Sequence, residues 1–192
     1  VGMRMELETM YKSVENTFLY FAYGSNLLKK RIHINNPSAE FLGSGRLDHA
    51  LDFMKYSENW RGTSATIVPT TDSHVWGAVW RRNMSHYFLL YIFRQEGVDT
   101  NWYFPKNVDI FVDDGSKVQC RTYQQTVNPP LREKGEELPL ERRPCITYLD
   151  CIITGAIECK LPEDYIDELK KIPNNGQLAP PAMIEKLNLP CK

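Results

Sequence analysis

An apolar, aromatic run, Phe18-Leu19-Tyr20-Phe21-Ala22-Tyr23, stops at Gly24-Ser25-Asn26 and gives way to a helical pattern from Leu27. Strand formers bounded by turn residues predict a strand over 17–23. The helix that follows spans 27–34 and ends at Asn35-Asn36-Pro37, because proline disfavours helix in the residue before it. Residues 40–54 alternate enough for one or two strands, bent at Gly43 and Gly45, and 55–62 read as a polar loop. Two hairpins are predicted, 63–69 with 74–82 and 101–112 with 117–127, across Thr70-Thr71-Asp72-Ser73 and Asp113-Asp114-Gly115-Ser116. Residues 128–144, rich in Pro, Glu and Arg, read as a long mobile loop.

Towards the end of the chain, Ile146, Leu149, Ile152, Ile153 and Ala156 recur at helical spacing, which predicts an amphipathic helix over 144–159. A further helix over 163–172 starts behind Pro162 and is ended by Pro173 and Gly176. Hairpins with helices outside them predict an α+β domain with a strongly curved or closed sheet. The expected organisation is a flexible or weakly helical arm (1–16), one domain (17–175) and a tail (176–192), loose from residue 179 onward.

The strand-to-helix junction is the first candidate for chemistry. Gly24 offers backbone conformations closed to other residues and lets a ligand approach the main chain. Ser25 and Asn26 suit a helix N-cap, so the turn could aim free N–H groups at an anion or a developing oxyanion. Gly-Ser-Asn turns are also common in purely structural roles. The local spacing therefore leaves both readings open.

Composition narrows the class. The chain has 192 residues, 42% of them hydrophobic and 11% aromatic, enough for one folded domain with a sizeable core. A net charge of −1 gives no reason to expect nucleic acid or an anionic membrane as partner. The basic pairs Lys29-Lys30 and Arg81-Arg82 read as solvated surface. Five cysteines (Cys120, Cys145, Cys151, Cys159 and Cys191), with no Cys-x-x-Cys pair, fit reduced thiols in a cytoplasmic protein. Neither they nor His33, His49, His74 and His86 fall at metal-ligand spacing, so neither metal nor cofactor is expected. Residues 1–16 hold no apolar signal-peptide core, although the chain starts at Val1 and an upstream presequence stays open. The longest apolar run, 87–93, is far too short to span a bilayer.

The segments gain meaning from their order. Phe18–Asn26 is followed by Asn36-Pro37-Ser38-Ala39, Ser64-Ala65-Thr66-Ile67 and Val75-Trp76-Gly77-Ala78-Val79-Trp80. Next come Gln95-Glu96-Gly97-Val98, Trp102-Tyr103-Phe104-Pro105, Cys120-Arg121-Thr122-Tyr123 and Ile146-Thr147-Tyr148. In this order, across most of 17–172, the chain closely resembles the γ-glutamylcyclotransferase family. The resemblance implies a small mixed β-barrel flanked by helices, with a cavity at one end. It also implies a carbon–nitrogen lyase activity in glutathione and γ-glutamyl peptide turnover. There, the α-amine of an (L-γ-glutamyl)-L-amino acid attacks its own γ-carbonyl, giving 5-oxo-L-proline and a free amino acid.

Such an enzyme must fold the substrate into attack geometry, supply donors to the oxygen that gains charge, and move one proton from the amine to the leaving nitrogen. By the resemblance, Glu96 falls on the catalytic glutamate. The loop Tyr23, Gly24, Ser25 and Asn26 supplies donors, and Tyr103, Tyr123 and Tyr148 fall where the family has tyrosines near the pocket. For each tyrosine a role in the aromatic core stays open beside the substrate-binding one, as a structural ion pair does for Arg121. The resemblance also implies a small-molecule substrate and a homodimer.

One segment departs from the family. Where its members have a short polar and acidic stretch of the kind Leu-Asp-x-x-Glu, this chain reads Ser85-His86-Tyr87-Phe88-Leu89-Leu90-Tyr91-Ile92-Phe93-Arg94, about two residues longer. An apolar insert there could displace Glu96. Two alternatives follow: a γ-glutamylamine cyclotransferase acting on γ-glutamyl-ε-lysine, and an inactive member that only binds.

Overall fold

The computed structural model describes residues 9–12, 14–84, 101–133 and 135–188. Among the described residues seven strands form: β1 (Thr17–Ala22), β2 (Glu40–Leu47), β3 (His49–Ser57), β4 (Gly62–Pro69), β5 (Val75–Asn83), β6 (Tyr103–Phe111) and β7 (Lys117–Gln125). The helices are α1 (Lys29–Asn35), α2 (Ile146–Glu158), α3 (Glu163–Lys170) and α4 (Pro181–Leu187), with single 3-10 turns at Ser25–Leu27 and Leu140–Arg142.

Five strands close a barrel in the order β1-β5-β2-β6-β7, and β3 and β4 form a separate two-stranded sheet. The barrel is mixed. Its antiparallel ladders are closed by one parallel pairing, Tyr20 of β1 with Arg121 of β7. Closure needs a close crossing where β2 meets β6. Gly45 provides it, since a Cβ there would lie 2.3 Å from Ile110 Cγ2. A bulge between Phe41 and Gly43 bends β2 in the same region.

The α+β class and the closed, helix-flanked barrel agree with the expectation. The 101–112/117–127 hairpin forms as β6 and β7, in continuous register from Tyr103↔Gln125 to Phe111↔Lys117. The other predicted hairpin does not form. β4 pairs with β3, from His49↔Pro69 to Ser57↔Gly62, and β5 is taken by β1 and β2 instead. The expected loop over 55–62 therefore shrinks to a tight turn whose Trp60 and Arg61 N–H groups both donate to Ser57 O.

The 128–144 segment is anchored rather than loose. Arg142 is buried, donates to Asp52 (2.5 Å) and to Phe53 O (3.0 Å), and its own carbonyl accepts from Thr63 Oγ1 (2.7 Å). The expected loose tail is likewise corrected within its described part. Pro181 opens a helix, Ala179 N–H donates to Thr147 Oγ1, and Ala179 and Leu187 are buried. Burial of such apolar side chains fixes the segment at roughly 1.5–3 kcal/mol for each large one. In the expected arm, Tyr11 packs against the core beside Gly43 and Met10 O accepts from Arg81.

The core runs through barrel and helices without a break, from Phe21, Trp80 and Ile110 to Leu27, Ile32 and Ile152. One basic pair expected at the surface is split: Arg82 is fully buried, donates to Asn36 Oδ1 (2.8 Å) and stacks 4.5 Å from the Tyr20 ring centre. The alternation of β5 turns Arg81 outward to Glu40 and Arg82 inward.

Candidate active site

A cavity of about 490 Å³ opens at one end of the barrel. Its walls come from the turn after β1, the β3–β4 hairpin, the start of β6, the end of β7 and the first turn of α2. Tyr23, Gly24, Ser25, Asn26, Tyr103, Tyr123 and Tyr148, residues drawn from four separate parts of the sequence, all line it. Glu96, and the apolar 87–93 run before it, lie outside the described residues. Arg121 lies away from the cavity walls, its guanidinium 4.8 Å from the Phe18 ring centre.

The loop is held from behind. Leu27 N–H donates to Gly24 O and Leu28 N–H to Ser25 O, which makes a 3-10 turn rather than the predicted direct entry into an α-helix. The first N–H groups of such a turn precede its own bonds and face outward for another acceptor. No side chain caps it, which corrects the N-cap role expected of Ser25 and Asn26. Asn26 Nδ2 instead donates to Tyr20 Oη at 3.1 Å.

The glycine leaves room beside Tyr148 and does not use a left-handed backbone. Gly24 has φ −108°, whereas a Cβ would meet Tyr148 Oη at 3.2 Å and Ala65 Cβ at 3.5 Å. Beneath the turn, α2 packs against it through Gly155, where a Cβ would fall 2.4 Å from Leu28 N and 2.5 Å from Leu27 C.

The tyrosines divide into two groups. Tyr23 Oη donates to Tyr123 O (2.5 Å), tying the end of β1 to β7 across the barrel mouth. Tyr103 Oη donates to Ala65 O (2.9 Å), meets Ser64 Oγ (3.0 Å) and accepts from Gln125 Nε2 (3.0 Å). Gln125, fully buried, also donates to Ser64 O and accepts from Lys55 N–H, so it clamps the β3–β4 hairpin onto the barrel end. These hydroxyls build the wall.

Tyr148 is different. It starts α2, where its N–H donates to Cys145 Sγ, and its Oη accepts from Ala65 N–H at 3.0 Å. Among the described residues nothing accepts the Tyr148 hydroxyl proton, so a ligand oxygen beside Gly24 can. Burial pushes its phenol far above the ordinary range, and neighbouring Tyr103 adds to this. Tyr148 is therefore a neutral donor at any working pH.

Sequence reasoning missed Tyr20, Arg31, Trp60, Ser64, Trp102 and Met183, which also line the cavity. Tyr20 and Trp60 had a signal in their size and amphipathic character. Arg31 had none, since Lys29-Lys30-Arg31 reads as a charged helix surface. Among the described residues no group of three or more His, Cys, Asp or Glu could hold a metal ion.

Comparison with known proteins identifies the family. Residues 74–169 match the AIG2-like family. The chain is 42% identical to the γ-glutamylcyclotransferase of Bos taurus over 164 residues, covering 83% of this chain and 80% of that protein. It is 40% identical to the Homo sapiens γ-glutamylcyclotransferase over 166 residues, covering 84% and 81% respectively. Among solved structures, a γ-glutamyl cyclotransferase superposes with a TM-score of 0.76 at 35% identity, over 90% of this chain and 98% of that one. The chain belongs to the γ-glutamylcyclotransferase family.

Proposed function

We propose that this protein converts an (L-γ-glutamyl)-L-amino acid to 5-oxo-L-proline and the free amino acid. The single observation that carries the reading is the convergence of the Tyr23–Asn26 turn, Tyr103, Tyr123 and Tyr148 on one cavity, in a chain of this family.

The substrate brings its own nucleophile. Its α-amine nitrogen bonds to the γ-carbonyl carbon and closes a five-membered ring. The carbonyl oxygen takes up negative charge, then re-forms its double bond as the bond to the leaving nitrogen breaks. The proton lost by the attacking amine goes to that nitrogen. The turn after β1 supports the charged oxygen with main-chain N–H groups, and Tyr148 supports it with its unengaged proton. Both are preorganised, so they need no rearrangement when charge develops. The walled cavity restricts the flexible γ-glutamyl chain to attack geometry in advance.

Glu96 is the proposed proton carrier: a carboxylate can take the amine proton and return it to the leaving nitrogen. Two points support the assignment. By the family resemblance Glu96 falls on the catalytic glutamate, and the chain shortly after it, Trp102-Tyr103, forms part of the cavity wall. The proposal extends to a cytoplasmic homodimer working in glutathione and γ-glutamyl peptide turnover. The buried, unpaired state of Cys120, Cys145, Cys151 and Cys159 supports a reducing compartment, and family membership supports the dimer. The test is γ-Glu-Ala turnover: 5-oxoproline and alanine should appear in equal amounts, and release of neither would overturn the proposal.

A further inference from the structure

The cavity wall carries a cation that pairs with no carboxylate among the described residues. Arg31, in the first turn of α1, lines the cavity, and its Nε is buried with no hydrogen-bond partner. Among the described residues no carboxylate pairs with it. Glu58, the carboxylate of the same lining, is exposed and makes no ion pair with Arg31, and Lys30 Nζ donates to Asn188 O. A guanidinium held at a partly dry wall without an anion is unfavourable unless a ligand supplies one. Its planar fork fits a carboxylate with two parallel hydrogen bonds.

The position of Arg31 says which carboxylate. The guanidinium carbon lies 5.6 Å from the ring centre of Trp60, which is buried and orients the fork. The other neighbour of Trp60 is Tyr148, edge-on at 4.9 Å between ring centres. Trp60 therefore touches both the Tyr148 ring and the Arg31 guanidinium, and all three line the cavity with Gly24. The reacting carbonyl belongs at the Tyr148 hydroxyl beside Gly24. Arg31 is the cation joined to that station through the Trp60 ring. A γ-glutamyl amino acid carries an anionic group close to its reacting carbonyl. The carboxylate of the departing amino acid sits two bonds from the amide nitrogen that is cleaved.

We propose that Arg31 binds the carboxylate of the leaving amino acid and so selects γ-glutamyl amino acids over γ-glutamylamines. This rests on the cyclotransferase reading above and deepens it. An amine leaving group would leave the guanidinium, with its buried Nε, unanswered, and rejection by an unpaired polar group is the strong form of specificity.

The test compares γ-Glu-Ala with γ-glutamylethylamide, which has the same skeleton with hydrogen in place of that carboxylate. The readout is the ratio of kcat/KM values for 5-oxoproline release. Wild type should favour γ-Glu-Ala. In Arg31→Met the ratio should fall about tenfold to a hundredfold, the range for a lost charge-assisted contact, with most of the loss in KM for γ-Glu-Ala. Arg31→Lys, which keeps the charge without the fork, should lower the ratio several-fold, and it decides the matter if Arg31→Met does not fold. Equal losses on both substrates would place Arg31 on the glutamyl half or in the fold and overturn the inference. An unchanged ratio would overturn it too. No 5-oxoproline from either substrate with wild type would instead overturn the cyclotransferase reading, and this inference with it.

Discussion

His49 illustrates how a single side chain ties the fold to pH. It is 8% exposed, and Lys106 Nζ donates to its Nε2 at 3.0 Å, a bond that only the neutral ring accepts. Burial first, and the Lys106 charge second, lower its pKa. The unfolded chain takes up a proton near the ordinary value of about 6.5, while the folded protein resists it. Below that pH the unfolded state binds more protons, so this contribution to stability is present above about 6.5 and lost as pH falls. Thermal unfolding at pH 7.5 and 5.5 should show a drop in Tm at the lower pH, and the drop should be smaller in His49→Gln. Equal drops in both proteins would contradict it. At this scale the sequence was a partial guide. Tyr23, Gly24 and Tyr148 could be picked from a motif, because their types and order carry information. Arg31 and Arg82 could not, because both sit in basic runs, and only the three-dimensional fold decides which member of a run turns inward.

The α2 helix against the 3-10 turn is the element-level contact on which the site depends. Gly155 lets the helix touch the main chain of Leu27 and Leu28, directly behind Gly24–Asn26. The atoms a new Cβ would meet include backbone, which cannot rotate aside. Gly155→Ala should therefore cost about 1–3 kcal/mol of stability, as overpacking does. On the proposed reading, in which this turn supplies the oxyanion donors, it should also lower kcat/KM by roughly tenfold to a hundredfold. Wild-type Tm and activity in the variant would show that the turn is not held in this way. Helices were legible wherever proline and periodicity agreed: α2 at Ile146–Glu158 and α3 at Glu163–Lys170 fall within the predicted spans. The pairing of β4 was not legible. A four-residue polar stretch between two strands looks like a hairpin loop, but β5 is needed between β1 and β2 to close the barrel, and β4 finds its partner in β3.

At the scale of the whole molecule, the four thiols among the described residues are shielded within a core continuous from barrel to helices. Cys120, Cys145, Cys151 and Cys159 are all buried, and burial pushes the thiols up, to about 12 for Cys120, Cys151 and Cys159. Thiolate is the reactive form, so these four should stay unlabelled by an aromatic disulfide reagent at pH 8 in the native protein and react on unfolding. Peptide mapping that finds any of them labelled within minutes in the native state would contradict the packing described here. The barrel itself could be anticipated from curved-sheet signals and family resemblance. The docking of residues 177–188 could not, because a short segment with two adjacent prolines gives little periodicity to read.

The central claim is that this cavity performs ring closure on a γ-glutamyl substrate with Glu96 moving the proton. The most direct measurement is 5-oxoproline release from γ-Glu-Ala by wild type and Glu96→Gln, side by side, with melting curves to show that both are folded. The account predicts turnover by wild type and a loss of about 10²–10⁴-fold in the variant. A folded, inert wild type, or a Glu96→Gln enzyme within a few-fold of it, would contradict it.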